Sequence, residues 1–146
     1  MKINLKSGIA ELLFGMKEKD VTALYGEPSR KYKDEDKNII YLYNDKKLRL
    51  TFYADEDFRL GYIIGSHPEL ELKDNKIIGQ SWAALEPALK ESGVKSFESE
   101  HFDSVENHFN EDNWVIFQAE FGEVIRVEVG AIINAKDEFD WKFKSK

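Results

Sequence analysis

The 146-residue chain has no cysteine, only three prolines, and fewer basic residues (21) than acidic ones (28). Without cysteine there can be no disulfide framework, no thiol catalysis, and no Cys-based zinc or iron–sulfur site. The net charge of −7 argues against general nucleic-acid binding, which needs Lys and Arg to displace counterions from phosphates. No run approaches the roughly 18 apolar residues of a membrane-spanning helix. Met1 to Lys6 has no apolar stretch of signal-peptide length, and there is no Cys for a lipid anchor. A cytoplasmic location is the expectation.

What is present suffices for a core: 42% hydrophobic and 13% aromatic residues. A chain of this size typically buries about 68–70% of its unfolded surface, so it needs no disulfide or metal staple. Ile9, Leu12 and Leu13 suggest a short amphipathic turn or helix at 8–15. Val21, Leu24 and Tyr25 fall at i, i+3, i+4, one helical face, and Gly26 and Pro28 end that helix. Residues 29–38 are charged and aperiodic, so they read as a loop. Strands are predicted at 39–43, 48–53 and 60–64, with polar turns between them.

The second half repeats this order. Ile78-Gly79-Gln80 stands 64 residues after Phe14-Gly15-Met16 (79 − 15 = 64). Ser81 suits the N-cap of a helix over 82–91 that Gly93 ends, with Pro87 inside it as a kink or a break. Strands are predicted at 104–109, 114–121 and 124–129. The fold class read from this pattern is α+β, two tandem ααβββ repeats forming an antiparallel sheet with helices on one face. Repeat one covers 8–66 and repeat two 72–130. Residues 131–146 form a tail in which Phe139, Trp141 and Phe143 alternate. It is either an edge strand or a segment docked back on the core.

The signature Phe14-Gly15-Met16 with Val21-Thr22-Ala23-Leu24-Tyr25-Gly26-Glu27-Pro28 resembles the unit shared by beta-lactamase inhibitory protein and the small lipoprotein of the outer-membrane barrel-assembly machinery. Two tandem copies resemble the inhibitory protein in particular. This chain departs from it in lacking disulfides and a lipid-anchor Cys, and in having Gly93-Val94-Lys95 where the second Gly-x-Pro would stand. The resemblance implies a binding module whose sheet presents a concave surface to another protein. Similar folds occur among cytoplasmic immunity proteins that neutralise toxins, which implies a non-enzymatic inhibitor that occludes a toxin's active site. An envelope assembly module and a small-ligand binder are the alternative readings.

Strand alternation assigns residues to the two sheet faces. Leu48, Leu50, Phe52, Val115, Phe117, Ala119 and Phe121 are assigned to the core, as are Tyr41 and Tyr43, the latter aligned with Phe109 of the second half. Arg49, Thr51, Tyr53, Trp114, Ile116, Gln118, Glu120, Arg126 and Glu128 fall on the other face. Tyr53, Trp114 and Arg126, with Arg49 and Gln118 beside them, are the expected anchors, because interface hot spots favour Trp, Tyr and Arg. Acidic clusters, above all Asp55-Glu56-Asp57, would steer a basic partner, a toxin or enzyme domain. Neither the Asp55-x-Asp57 spacing nor His101 and His108 match a metal signature, and the histidines read as surface residues. No catalytic motif is present, and no cofactor, nucleic acid or metal is expected.

Overall fold

The computed structural model describes residues 1–144, and the last two residues of the expected tail segment lie outside that range. The chain opens with a small sheet of β1 (Ile3–Asn4), β2 (Gly8–Ile9) and β3 (Leu12–Leu13). Helix α1 (Glu18–Tyr25) leads into the antiparallel meander β4 (Arg30–Lys33), β5 (Ile39–Tyr43), β6 (Leu48–Tyr53) and β7 (Arg59–Gly65). The second half opens with the hairpin β8 (Glu71–Leu72) and β9 (Asn75–Lys76), followed by helix α2 (Trp82–Glu91). The meander β10 (Glu98–Phe102), β11 (Val105–Asn110), β12 (Val115–Glu120) and β13 (Glu123–Gly130) completes it. Antiparallel pairing of β13 with β7 fuses the two meanders into one sheet of eight strands, ordered β10-β11-β12-β13-β7-β6-β5-β4.

This corrects the expected α+β architecture of two ααβββ units. Among the described residues the molecule is mostly β, with two α-helices, of 8 and 10 residues. The first expected helix is the β2–β3 hairpin. Gly8 and Ala10 have φ of 149° and 52°, and a Cβ at Gly8 would lie 2.0 Å from the Leu12 carbonyl oxygen. That backbone turns back on itself and cannot run as a helix. Ile9 and Leu12 face each other across the hairpin and are fully buried, so apolar spacing that suited a helix serves a turn. Each meander also has four strands rather than three, the additional ones being β4 and β10. The helix-terminating role of Gly26 (φ 78°) matches its position. Pro87 does not split α2; both it and Ala83, whose carbonyl loses its usual N–H partner, are exposed to solvent.

Two local devices recur at one spacing. The Gly15 N–H donates to the Leu60 carbonyl (2.9 Å) and the Leu60 N–H donates to Met16 (2.7 Å). The Gly79 N–H donates to Val124 and the Val124 N–H to Gln80, both at 2.8 Å, each partner 64 residues further along (79 − 15; 124 − 60). Register shifts leave Gly61 unpaired opposite β6 and Ile125 unpaired opposite β12, again 64 residues apart (125 − 61). Such bulges bend and over-twist a sheet.

Buried residues from both halves, among them Phe14, Val21, Phe52, Leu85 and Phe117, form one core cluster. Trp82 of α2 packs on Phe117, and the Tyr41 hydroxyl donates to Glu18 of α1. Tyr41 and Tyr43 point inward as expected, but Phe121 is 85% exposed in the β12–β13 turn, where φ is 50° and the strand alternation has ended. Among the described residues the tail docks back without becoming a strand. The N–H groups of Lys142 and Phe143 donate to the Phe14 carbonyl, and Phe139 stacks between Tyr53 and Trp141.

Candidate binding groove on the concave face

Alternation along β12 sends Val115, Phe117 and Ala119 into the core, and Ile116, Gln118 and Glu120 to the opposite face. Register extends that second face sideways. Phe109 and Glu128 flank Ile116, and Asn107 and Arg126 flank Gln118. Tyr62 of β7, Tyr53 of β6 and the adjoining Trp114 complete it. Laid flat, β10 and β6 would stand about 24 Å apart, five strand spacings. Yet Glu98 and Glu100 of β10 line the same hollow as Tyr53, with a volume of about 620 Å³. The sheet is therefore curved with this face inside the curve, as the bulges at Gly61 and Ile125 require.

Two glycines set the floor. A Cβ at Gly61 would come within 2.1 Å of the Tyr53 ring, and one at Gly130 within 2.4 Å of the Trp114 indole. Both rings occupy space that any side chain would fill. Phe109 meets Trp114 edge-on at 5.0 Å. The Tyr62 hydroxyl donates to Glu128 at 2.6 Å, and burial together with that carboxylate pushes the phenol well above its ordinary pKa. Burial also raises Tyr53. Both rings are thus neutral phenols at physiological pH.

A second hollow adjoins the first through Tyr53 and Trp114, walled by Ile132, Ile133 and Phe139 of the tail. Five carboxylates border the pair: Glu98 and Glu100 at one end, Glu111, Asp112 and Asp137 at the other. No Lys or Arg is among the described residues lining either hollow. The arrangement offers an apolar aromatic floor between two acidic rims.

Of the expected anchors, the groove brings together Tyr53 and Trp114. Gln118 and Arg126 sit one row away on the same face, engaged with Asn107 (3.0 Å) and Glu128 (3.4 Å). Arg49 is exposed between Leu42 and Ile64 in register, outside the hollows. Asp55, Glu56 and Asp57 form a turn beyond β6, where Asp57 pairs with Lys17 and the Glu56 carbonyl accepts from Arg59. Sequence reasoning missed Tyr62 and Phe109, while Glu98 and Glu100 belong to its acidic clusters but lie on strand β10 rather than in a loop. Phe109 was aligned with Tyr43, but the equivalent inward position is held by Asn110, which pairs with Val115 as Tyr43 pairs with Leu48.

His108 is not a surface residue. It is 4% exposed, stacked on Trp82 at 4.1 Å, and its Nδ1 lies 2.7 Å from the Ser99 hydroxyl. Its Nε2 points at Glu106 (3.5 Å), which also meets His101 (3.1 Å). Among the described residues no group of three or more His, Cys, Asp or Glu is placed to hold a metal ion, and no helix is long and apolar enough to cross a membrane.

No family model and no curated protein matches the chain. Solved structures that share its fold include two bacterial proteins. One is an extracellular protein containing an SCP domain from Bacillus anthracis, with a TM-score of 0.56 and 12% identity over 99% of this chain and 56% of that one. The other is a cysteine-rich secretory protein from Staphylococcus aureus, with a TM-score of 0.50 and 16% identity over 90% of this chain and 49% of that one. The chain thus spans about half the length of the structures it matches. These neighbours overturn the resemblance to beta-lactamase inhibitory protein and the barrel-assembly lipoprotein. Both neighbours are described as extracellular or secretory, which points away from the expected cytoplasmic setting.

Proposed function

We propose that this chain is a non-enzymatic recognition module that grips a cationic segment of a protein partner in the concave groove. One observation carries the reading: Tyr53 and Trp114 join two hollows whose rims hold five carboxylates and no basic side chain among the described residues. Aromatic rings supply large contact area at low entropic cost and attract cations over their faces. Carboxylates at both ends raise the encounter rate with a basic partner and disfavour an acidic one. A partner segment with an apolar residue between Lys or Arg residues has the matching chemistry. Gripping it would occlude that segment, which is how such a module would inhibit. The setting we propose is extracellular, a suggestion supported by the descriptions of both structural neighbours.

The test is a titration of the full chain with short peptides carrying a central Leu or Trp, flanked by Lys in one series and by Glu in the other. The Lys series is expected to bind, and to weaken with added salt. Trp114→Ala is expected to reduce that affinity at least tenfold, as a hot-spot truncation does. Equal binding of the Glu series, or undiminished binding by a folded Trp114→Ala chain, would remove the reading.

A further inference from the structure

The two edge strands of the eight-stranded sheet carry opposite charge. At one edge β4 reads Arg-Lys-Tyr-Lys, and at the other β10 reads Glu-Ser-Glu-His-Phe, with all five residues exposed. We propose that these edges pair between copies of this chain, β4 of one molecule against β10 of the next, so that the sheet continues from molecule to molecule.

An edge strand presents a row of unpaired backbone N–H and C=O groups and is a template for another strand. Charged side chains are the usual protection, because like edges then repel. Here that protection is selective. Two β4 edges repel each other, as do two β10 edges, so the symmetric pairings are blocked. The mixed pairing sets opposite charges side by side, and cross-strand pairs of opposite sign stabilise a sheet.

The faces also agree. Arg30 and Tyr32 stand opposite Leu42 and Ile40, on the concave side, with the Arg30 guanidinium 5.0 Å from the centre of the Tyr32 ring. Glu98 and Glu100 stand opposite Phe109 and Asn107, on the concave side too. A continued sheet keeps its faces, so Arg30 and Tyr32 of one copy meet the carboxylates of the other. Phe102, 56% exposed at the end of β10, gains an aromatic neighbour in Tyr32. Lys31 and Lys33 fall on the opposite side, beside Ser99 and His101; Lys31 is already paired with Glu18 at 2.8 Å. Because the two joined surfaces differ, the contact is head-to-tail and gives a ring or a filament. Glu98 and Glu100 also border the groove, but the test reads assembly mass rather than peptide binding, so either proposal can fail without the other.

The test is the weight-average mass of the full chain by sedimentation as a function of concentration and salt. At low salt the mass is expected to rise with concentration above the 17.0 kDa of one chain, and added salt is expected to reverse the rise. Arg30→Glu with Lys33→Glu makes both edges acidic, and Glu98→Lys with Glu100→Lys makes both basic. Each double variant alone is expected to remain a monomer, while an equimolar mixture of the two recovers assembly. That rescue also shows that both variants fold. A wild-type chain that stays monomeric at every concentration at low salt overturns the proposal. So does an assembly that persists in the double variants, or two folded variants that do not associate when mixed.

Discussion

Trp114 rests against Gly130 so closely that a Cβ there would stand 2.4 Å from the indole Cδ1 and 2.9 Å from its Nε1. The glycine is not needed for backbone freedom, since its φ lies outside the left-handed region. It is needed for room. The indole is 41% exposed, so the contact fixes the position of a ring that still faces solvent.

Gly130→Ala therefore tests ring placement with little change to the backbone. The methyl group must push out the indole or Tyr62, whose Cδ1 is 3.1 Å away. Overpacking of this kind costs about 1–3 kcal/mol, and the lower end is expected because the indole can swing toward water. Cationic-peptide affinity is expected to fall at least as much as in Trp114→Ala. Denaturant unfolding and peptide titration on the same variant separate the two effects.

The hydrogen-bonded turns at Gly15 and Gly79 should respond unequally to alanine. Both hold positive φ, 107° and 88°, which costs a residue with a side chain about 1–3 kcal/mol. At Gly15 the new Cβ would also meet the Phe143 carbonyl at 3.0 Å and the Trp141 Cβ at 3.1 Å, whereas at Gly79 its nearest neighbour is 4.0 Å away. Gly15→Ala is expected to lose more stability than Gly79→Ala and to loosen the tail. Midpoints of urea unfolding and limited proteolysis after residue 136 check this.

Alkaline pH should weaken the fold through Tyr43. Burial, then the charges of Glu27 and Asp45, pushes its phenol up to about 12 from an ordinary 10. A raised folded-state pKa means that the stabilisation is complete below pH 10 and is lost as pH climbs toward 12. Tyr43→Phe is expected to flatten that decline. It also removes the hydroxyl's bond to the Gly26 carbonyl (2.8 Å), at a cost of about 1 kcal/mol at neutral pH. Unfolding curves from pH 8 to about 12 for both chains decide it.

Glu18 should act in the opposite direction. Burial raises its carboxyl, but hydrogen bonds from Lys31 and Tyr41 and the charges of Lys31 and Lys33 outweigh that and hold its pKa below the ordinary 4.5. A lowered folded-state pKa gives stability that is present above the unfolded value and lost as pH falls below it. Glu18→Gln is expected to reduce stability at neutral pH and to shrink the acid-side decline. Thermal melts at neutral and acid pH measure both.

How much could be read from the residues varies with position in the sheet. The inner strands announce themselves by their apolar residues, β6 by partial alternation and β5 by the continuous run Ile-Ile-Tyr-Leu-Tyr, buried at all but one position. The edge strands β4 and β10 do not, since Arg-Lys-Tyr-Lys and Glu-Ser-Glu-His-Phe bury little and are held by pairing on one side only. The β2–β3 hairpin was hidden because Ile9, Leu12 and Leu13 fit helical and hairpin spacing equally well. Within the groove, alternation found Tyr53 and Trp114. Tyr62 lies just past the bulge at Gly61, and Glu98 reaches the site only because the sheet curves. That curvature depends on two unpaired residues, Gly61 and Ile125, which no local pattern marks.

The most direct test of the groove uses the three indole N–H signals of the chain in a proton–nitrogen NMR titration. Trp82 is buried and Trp141 half-buried at the far end of the tail, while Trp114 lies in the groove. Adding a Lys-flanked apolar peptide is expected to move the Trp114 signal progressively while Trp82 stays still, and the Glu-flanked peptide should move neither. A Lys-flanked peptide that binds while the Trp114 signal remains fixed, or that does not bind at low salt, contradicts the proposed recognition role.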